Sequence, residues 1–159
     1  MTVTDDCVLH ATAIAAGGRA VLIRGASGAG KSDLALRCLA LTPSALLPFV
    51  AVLVSDDQVR LKLRDGKIFA SAPVELKGML EVRGLGIMRV PAVEMAEVVL
   101  IADLVASGTV ERLPDPWPVA GILGHKVPVL RLWAREASAP VKLLLGLSSP
   151  ELPSVSKLT

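Results

Sequence analysis

The glycine-rich segment at residues 25–32, which reads GASGAGKS, constrains this chain more than any other feature. It follows an apolar run at residues 19–24 that is typical of a buried strand. Its last two residues begin a predicted helix at residues 31–41, where apolar side chains recur at helical spacing. A strand, a G-x4-G-K-[ST] loop and a helix in this order predict a phosphate-binding loop. Glycine suits such a loop because a backbone without β-carbons can turn successive N–H groups toward one anion. The residues predicted to bind phosphate are Gly25, Ala26, Ser27, Gly28, Ala29, Gly30, Lys31 and Ser32.

The last two residues of this loop supply its side-chain chemistry. We expect the ammonium group of Lys31 to reach the β- and γ-phosphates of a nucleotide, and the hydroxyl of Ser32 to coordinate Mg²⁺. The positive end of the following helix dipole favours the same anion. The loop therefore predicts binding of a nucleotide together with magnesium.

The rest of the chain predicts one α/β domain, residues 1–159, in which a mixed β-sheet is flanked by helices. Further predicted elements are strands at residues 49–55, 59–63, 68–70, 98–102 and 127–132 and a helix at residues 140–147. The second and third of these strands are joined by a glycine-containing turn, and such a hairpin makes the sheet mixed rather than purely parallel. We expect a loose start at residues 1–6 and a frayed tail from residue 150 onward.

Composition excludes several classes of protein. Apolar residues make up 52% of the chain and charged residues 20%, which favours a globular protein over a disordered one. The formal net charge of only +2 predicts neither nucleic acid nor an anionic membrane as a partner. No run approaches the roughly 18 apolar residues of a membrane span, and the acidic start does not resemble a secretion signal. Cys7 and Cys38 show no metal-ligand spacing, so the expected location is cytoplasmic.

A phosphate loop needs an acid nearby to hold magnesium or to accept a proton, and two predicted strands end in candidates. Asp56 and Asp57 follow the strand at residues 49–55, whereas Asp103 ends a second apolar run. Adjacent carboxylates at a strand end point different ways, so one could serve the metal and the other the nucleophile. Asp103 has the usual form of a magnesium-binding aspartate, although an acid at a strand end also commonly caps a following helix.

Residues 80–88, which read LEVRGLGIM, complete a set of four motifs. The other three are the segment CVLH ending at His10, the phosphate loop, and the segment VSDDQV that contains Asp56. In this order the four motifs resemble those of the bacterial HPr kinase/phosphorylase family. The resemblance covers about residues 7–90, and the joint match is far more specific than any single motif.

This resemblance implies a kinase that uses ATP and Mg²⁺ to phosphorylate a seryl hydroxyl on the phosphocarrier protein HPr. It also implies the reverse step, in which inorganic phosphate removes the phosphoryl group and pyrophosphate forms. The chain is similar to the catalytic-domain-only form found in alphaproteobacteria, without the separate N-terminal domain of typical members. A homo-oligomer is expected by the same comparison.

The resemblance further implies roles for individual residues. Asp56 resembles the base that activates the seryl oxygen and the acid of the reverse step, and His10 is expected to assist and orient it. Arg83 belongs to the signature segment that lies close to the phosphoryl groups. The catalytic residues implied are Asp56, His10, Lys31 and Arg83, and the metal ligands implied are Ser32 and Asp57.

Three further residues are candidates for the site. Asp33 stands where the family usually has glutamate, and its shorter side chain is expected to lose a second magnesium contact or to make it through water. Glu81 lies beside Gly84 and Gly86, which suggest a backbone that closely approaches a phosphate. Arg135 is an approximate counterpart of a family loop that precedes the last helix and engages substrate.

Two alternatives from other classes remain at this point. One is a P-loop kinase of a small metabolite, although no arginine-rich lid is visible between residues 104 and 126. The other is a nucleotide-responsive binding module that docks HPr or a signalling partner without turnover. Incubation with HPr, ATP and Mg²⁺ distinguishes the three.

Overall fold

The computed structural model describes residues 5–149, which form eleven strands, two α-helices and two short 3₁₀ turns. The helices are α1 (Lys31–Leu39) and α2 (Ala139–Ser148), and neither is long and apolar enough to cross a membrane. The strands are β1 (Asp6–Leu9), β2 (Thr12–Ala16), β3 (Arg19–Arg24), β4 (Val52–Ser55), β5 (Val59–Arg64), β6 (Lys67–Ser71), β7 (Met79–Val82), β8 (Gly86–Arg89), β9 (Met95–Leu104), β10 (Val119–Ile122) and β11 (His125–Leu132).

Nine of these strands form one curled, mixed sheet, in which the order along the main path is β1-β5-β6-β9-β3-β2-β4. Strand β9 pairs in parallel with β3 along one edge. Its other edge is divided, because its first residues pair antiparallel with β6 and its last residues pair in parallel with β11. Strand β10 adds to β11, while β7 and β8 form a separate hairpin.

Both described helices pack on one face of this sheet. Successive side chains of a strand point to opposite faces, so Val21 and Ile23 of β3 meet Leu34 of α1 and Leu143 of α2, whereas Leu22 points the other way. The second face needs no helix because the curled sheet covers it with its own strands, β5, β6, β10 and β11. The predicted mixed sheet is confirmed, but the helices lie on one side of it.

The strand arrangement brings chemically useful residues to one edge of the sheet. Strand β2 runs antiparallel between β3 and β4, and its first residue, Thr12, lies opposite Ile23 near the end of β3. The ends of β3 and β4 therefore meet the beginning of β2 at the same edge. The end of β9 joins them, because Arg24 and Asp103 are register partners. The phosphate loop leaves β3 at this edge, and Asp56 follows β4 there.

The structure confirms the predicted strand at Arg19–Arg24, the hairpin of β5 and β6, and both helices to within two residues. The first predicted strand after α1 begins at Val52 rather than residue 49, and it continues to Ser55. Two residues of the expected loose start at residues 1–6 are ordered, since Asp5 accepts a hydrogen bond of 2.7 Å from the N–H of Leu63 and β1 begins at Asp6; the other four lie outside the described residues. The expected tail from residue 150 onward lies outside the described residues.

Candidate functional site

The glycine-rich loop has the backbone conformation that its sequence predicts at two positions. Gly28 and Gly30 adopt φ values of 82° and 99°, which disfavour any residue with a β-carbon. Gly25 is different, because its φ is not positive. A β-carbon there would come within 3.0 Å of Ala29 Cβ and 3.3 Å of Leu104 Cβ, so glycine is needed for close packing between the loop and β9.

Lys31 is the first residue of α1, and only 7% of its surface is exposed. Its ammonium group donates hydrogen bonds to the carbonyl oxygens of Gly25 and Ala26, at 2.8 and 3.1 Å. Among the described residues, no carboxylate lies within ion-pair distance of it. A buried cation without an acidic partner is unfavourable on its own, and an anion held in the loop would compensate it.

Asp56 is held by three donors from three different elements. Its Oδ1 accepts hydrogen bonds from the hydroxyls of Ser32, at 2.7 Å, and Thr12, at 2.9 Å, while its Oδ2 accepts one from the Glu81 N–H at 3.1 Å. The residue is 6% exposed. The three hydrogen bonds fix the carboxylate beside the first turn of α1.

Asp57 points away from Asp56 because of a tight turn. The Gln58 N–H donates to the Asp56 carbonyl oxygen at 2.8 Å, and Asp57, between them, has a φ of 67°. This is a γ-turn of the rare, strained kind. The turn directs the Asp57 carboxylate into solvent, where it is 61% exposed and lies 3.3 Å from His10 Nε2. His10 was expected beside Asp56, and the structure places it beside Asp57.

These groups surround a cleft of about 420 Å³ above the phosphate loop. The cleft brings together most of the residues that the sequence singled out, and Asp56 lies behind Ser32, hydrogen-bonded to it. The lining residues are His10, Ser27, Gly28, Gly30, Lys31, Ser32, Asp33, Leu36, Asp57, Glu81, Val82 and Arg83.

The signature segment at residues 80–88 forms the β7–β8 hairpin, which is one wall of the cleft. Leu80 is fully buried in the core under α1, so the next residues, Glu81 to Arg83, reach the cleft. Gly84 and Gly86 have φ values of 88° and 101°, and a β-carbon at either position would meet nothing within 4 Å. These glycines therefore serve the turn of the hairpin rather than a close backbone approach.

Asp103 forms an ion pair with Arg24. Its two carboxylate oxygens accept hydrogen bonds of 2.8 and 2.9 Å from the guanidinium of Arg24, the neighbouring position on β3. The hydrogen bonding to this carboxylate raises the pKa of the Arg24 guanidinium. Asp103 lies within β9 and caps no helix, so it joins two parallel strands below the loop.

The sequence analysis did not identify two residues at this site, Thr12 and Arg37. Thr12 is a fully buried hydroxyl in an otherwise alanine- and isoleucine-containing strand, and a single polar residue in such a run was the available hint. Arg37 pairs with Asp33 one helical turn earlier at 3.0 Å and donates to the Ala134 carbonyl. This places Asp33 along the helix, and it leaves Arg135 exposed in the turn after β11.

The oxygen donors at the loop fit Mg²⁺, which usually takes one or two protein ligands and completes its shell with phosphate and water. Ser32 supplies a hydroxyl and Asp57 a carboxylate, and both line the same cleft. Within residues 5–149 there is no cluster of three or more His, Cys, Asp or Glu that could hold a metal alone.

Comparison with known proteins gives one consistent result. A family model described as the HPr serine kinase C-terminal domain matches residues 2–139. The HPr kinase/phosphorylase of Clostridium tetani is 43% identical over 84 residues, which cover 53% of this chain and 25% of that protein. The Clostridium perfringens protein of the same name is 34% identical over 134 residues, covering 78% of this chain and 41% of that one.

The chain thus spans a quarter to two fifths of the length of these curated relatives. Among solved structures, the Hpr(Ser) kinase/phosphatase from Coxiella burnetii superposes with a TM-score of 0.72 at 26% identity. That match covers 87% of this chain and 86% of the other. The similarity therefore extends through the sheet as well as the four motifs.

Proposed function

The chain belongs to the family of HPr serine kinase C-terminal domains, and from this we propose that it transfers the γ-phosphoryl group of ATP to a seryl hydroxyl of an HPr-type protein. The observation that carries the proposal is the hydrogen bond from Ser32 to Asp56, beside the buried ammonium of Lys31. It brings a metal-binding hydroxyl, a phosphate-binding cation and a proton acceptor to one end of one loop. Mixed-sheet topology and the matching relatives support the same assignment.

The glycine-rich loop binds the phosphates in this proposal. Its N–H groups and Lys31 neutralise the β- and γ-phosphates, for which the buried ammonium already lies at the loop. Ser32 would hold Mg²⁺, with Asp57 across the cleft as the second protein ligand, directly or through water. When bound, this ion would neutralise part of the negative charge of the phosphates.

Asp56 is the proposed proton-transfer group. Its Oδ1 accepts the hydroxyls of Ser32 and Thr12, and in this proposal the hydroxyl of an incoming serine replaces Ser32 as a donor when Ser32 binds the metal. The seryl oxygen forms a bond to the γ-phosphorus as the bond to the ADP oxygen breaks, and the seryl proton passes to Asp56. Arg83, on the opposite wall of the cleft, balances the negative charge of the phosphoryl group during its transfer.

The same arrangement supports the reverse reaction. An oxygen of inorganic phosphate attacks the phosphorus of phosphoserine, pyrophosphate forms, and the proton on Asp56 returns to the departing serine oxygen. One carboxylate thus serves both directions by microscopic reversibility. The exposed His10–Asp57 pair lies at the mouth of the cleft, where we propose that it orients the acceptor.

The decisive experiment incubates the chain with HPr, ATP and Mg²⁺ and follows the intact mass of HPr. We expect a mass increase of one phosphate, located on a serine by fragmentation, and its removal when phosphate replaces ATP. The Lys31→Met chain is the matched control. Unmodified HPr alongside phosphorylated small molecules would reject this proposal in favour of a metabolite kinase, and tight HPr binding without turnover would favour a docking module.

A further inference from the structure

The residues at the start of β2 hold the turn that separates the two neighbouring carboxylates of the site. The Ala11 N–H donates to the carbonyl oxygen of Asp57 at 3.2 Å, and the Asp57 N–H donates to the hydroxyl oxygen of Thr12 at 3.4 Å. Two consecutive residues therefore bind both backbone polar groups of Asp57. Because the φ of 67° at Asp57 is unfavourable for a residue with a β-carbon, the turn depends on such contacts from outside.

Thr12 also binds the other carboxylate, and it does so through the same oxygen atom. A hydroxyl donates one hydrogen bond and can accept two. The Thr12 hydroxyl donates to Asp56 Oδ1 at 2.9 Å while it accepts the N–H of Asp57, and the residue has no exposed surface. One buried atom therefore fixes both the Asp56 carboxylate and the turn that carries Asp57.

Packing alone does not account for this hydroxyl. Thr12 is fully buried at the start of a strand whose other residues are alanine and isoleucine. Valine has almost the same shape as threonine, is equally suited to strands and brings no polar group into the core. The hydroxyl is therefore explained by what it binds, which is the pair of acids.

Thr12 differs from the other hydroxyl that binds Asp56. In the proposed reaction Ser32 turns to the metal, and the seryl hydroxyl of the acceptor takes its place on Oδ1. Thr12 has no second ligand to serve, so its hydrogen bond persists, as does that of the Glu81 N–H on Oδ2. A carboxylate oxygen has two lone pairs, so Thr12 leaves one site on Oδ1 for the reacting hydroxyl.

We propose that Thr12 is a positioning residue for phosphoryl transfer, whose hydroxyl makes Asp56 rather than Asp57 the acid that meets the seryl oxygen. The inference rests on the proposed function, in which Asp56 accepts the seryl proton. Thr12 takes no part in the proton transfer itself, and it does not line the cleft that admits the substrates. It acts by restricting rotation of the Asp56 carboxylate, because a general base must lie within hydrogen-bond reach of the proton that it accepts.

The test replaces Thr12 by valine and follows HPr phosphorylation in single turnovers. Thr12→Val keeps the shape of the side chain and removes the hydroxyl. The maximal rate should fall at least about tenfold, the size expected for one lost hydrogen bond to a charged group. The HPr concentration that gives half of this rate and the affinity for ADP should not change, because Thr12 lies outside the cleft. Thr12→Ser, which keeps the hydroxyl, should restore most of the rate.

Ile14→Val is the matched control. Ile14 is fully buried two residues later in β2, and loss of one methylene there should lower the melting temperature by an amount comparable to that of Thr12→Val. Because no hydrogen bond changes, the phosphorylation rate should stay that of the unaltered chain. A loss of rate in Ile14→Val equal to that in Thr12→Val would overturn the inference, since the loss would then follow from the packing of β2.

A double-mutant cycle with Asp56→Asn shows whether Thr12 acts through Asp56. Thr12→Val should add almost no further loss of rate to the Asp56→Asn chain, because there is no carboxylate left to position. Independent losses that multiply would overturn the inference. Thermal unfolding verifies that each chain is folded at the assay temperature, and Thr12→Ala repeats the comparison with a smaller side chain where valine prevents folding.

The outcomes separate this inference from the proposed function. A Thr12→Val rate equal to that of the unaltered chain, or a loss that Thr12→Ser does not restore, overturns the inference and leaves the proposed function standing. A loss of ADP affinity as large as the loss of rate also overturns it, because Thr12 would then act on the phosphate loop. If the unaltered chain does not phosphorylate HPr, the proposed function fails and the inference fails with it.

Discussion

Replacement of Asp56 by asparagine is the most informative single change, because it tests the proposed proton transfer while the amide can keep the hydrogen bonds of the site. The amide can turn its oxygen toward the Glu81 N–H and its NH₂ group toward the hydroxyls of Ser32 and Thr12, both of which can accept. Every hydrogen bond of the carboxylate then has a neutral counterpart. We expect a stability loss of at most about 3 kcal/mol, since the difference between a charged and a neutral hydrogen bond is about 1 kcal/mol for each of the three bonds.

The effect on rate should be much larger. Asparagine cannot accept the seryl proton, and general acid–base catalysis contributes at least about a hundredfold, or about 2.7 kcal/mol of activation free energy. We therefore expect both HPr phosphorylation and its phosphate-dependent reversal to fall at least about a hundredfold, while nucleotide still binds. Single-turnover mass spectrometry measures both rates, and calorimetry measures the binding.

The neighbouring variant, Asp57→Asn, is the internal control. Asp57 is 61% exposed and its carboxylate lies 3.3 Å from His10 Nε2, so its replacement should mainly raise the Mg²⁺ concentration needed for half-maximal rate. Rates of Asp56→Asn close to those of the unaltered chain would refute the assignment of Asp56. If Asp57→Asn lost the rate instead, proton transfer would belong to the His10–Asp57 pair.

Three further outcomes follow from the packing of single residues. Lys31→Met should abolish nucleotide binding in calorimetry without lowering the melting temperature, because the buried ammonium has no carboxylate partner in the described part of the chain; a full phosphoryl-transfer rate would exclude the loop assignment. Gly25→Ala should lower the free energy of unfolding, measured with denaturant, by about 1–3 kcal/mol, since its β-carbon would lie 3.0 Å from Ala29 Cβ. An unchanged free energy of unfolding would show that the loop can shift to accommodate the methyl group. Burial raises the pKa of the Cys38 thiol to about 12. At pH 8 a thiol reagent should therefore label exposed Cys7 but not Cys38. The contribution of the neutral Cys38 thiol to the free energy of unfolding should be fully present below about pH 8.5, where the thiol of the unfolded chain ionises, and should be lost as the pH rises toward 12.

The sequence predicts the parts of the site that lie within short motifs. A strand, a glycine-rich loop and a helix occupy 21 consecutive residues from Arg19 to Leu39, so local pattern alone locates Lys31 and Ser32. The hairpin of β5 and β6 is equally local, because its turn and both strands are contiguous. These segments required no knowledge of the rest of the chain.

Other parts depend on contacts that no local pattern encodes. Strand β2 reads TAIAA, and alanine carries little strand propensity, so the strand that joins the loop to Asp56 gave no signal. The γ-turn at Asp57 determines which carboxylate meets Ser32 and which meets His10, and it reverses the expected partner of His10. Arg37 contacts Ala134, which lies 97 positions later in the chain. The spacing of apolar residues predicts local structure only, so it cannot predict a contact at this separation.

The position of β2 between β3 and β4 also determines where this chain can change in length. Asp56 is located by the pairing of Ala13 with Ser55 and by the Thr12 hydroxyl, not by the segment at residues 40–51 that connects α1 to β4. Leu47 and Ala51 of that segment are buried in the core, but residues 42–46 are exposed. Extra residues at these exposed positions would enlarge a loop, at about 0.6 kcal/mol for each doubling of its length, and the distance from Ser32 to Asp56 would stay the same. A single residue inserted within β2 would instead turn Thr12 to the opposite face of the sheet. Insertions and peptide tags should therefore be tolerated at residues 42–46 and should disrupt the site when placed within β2.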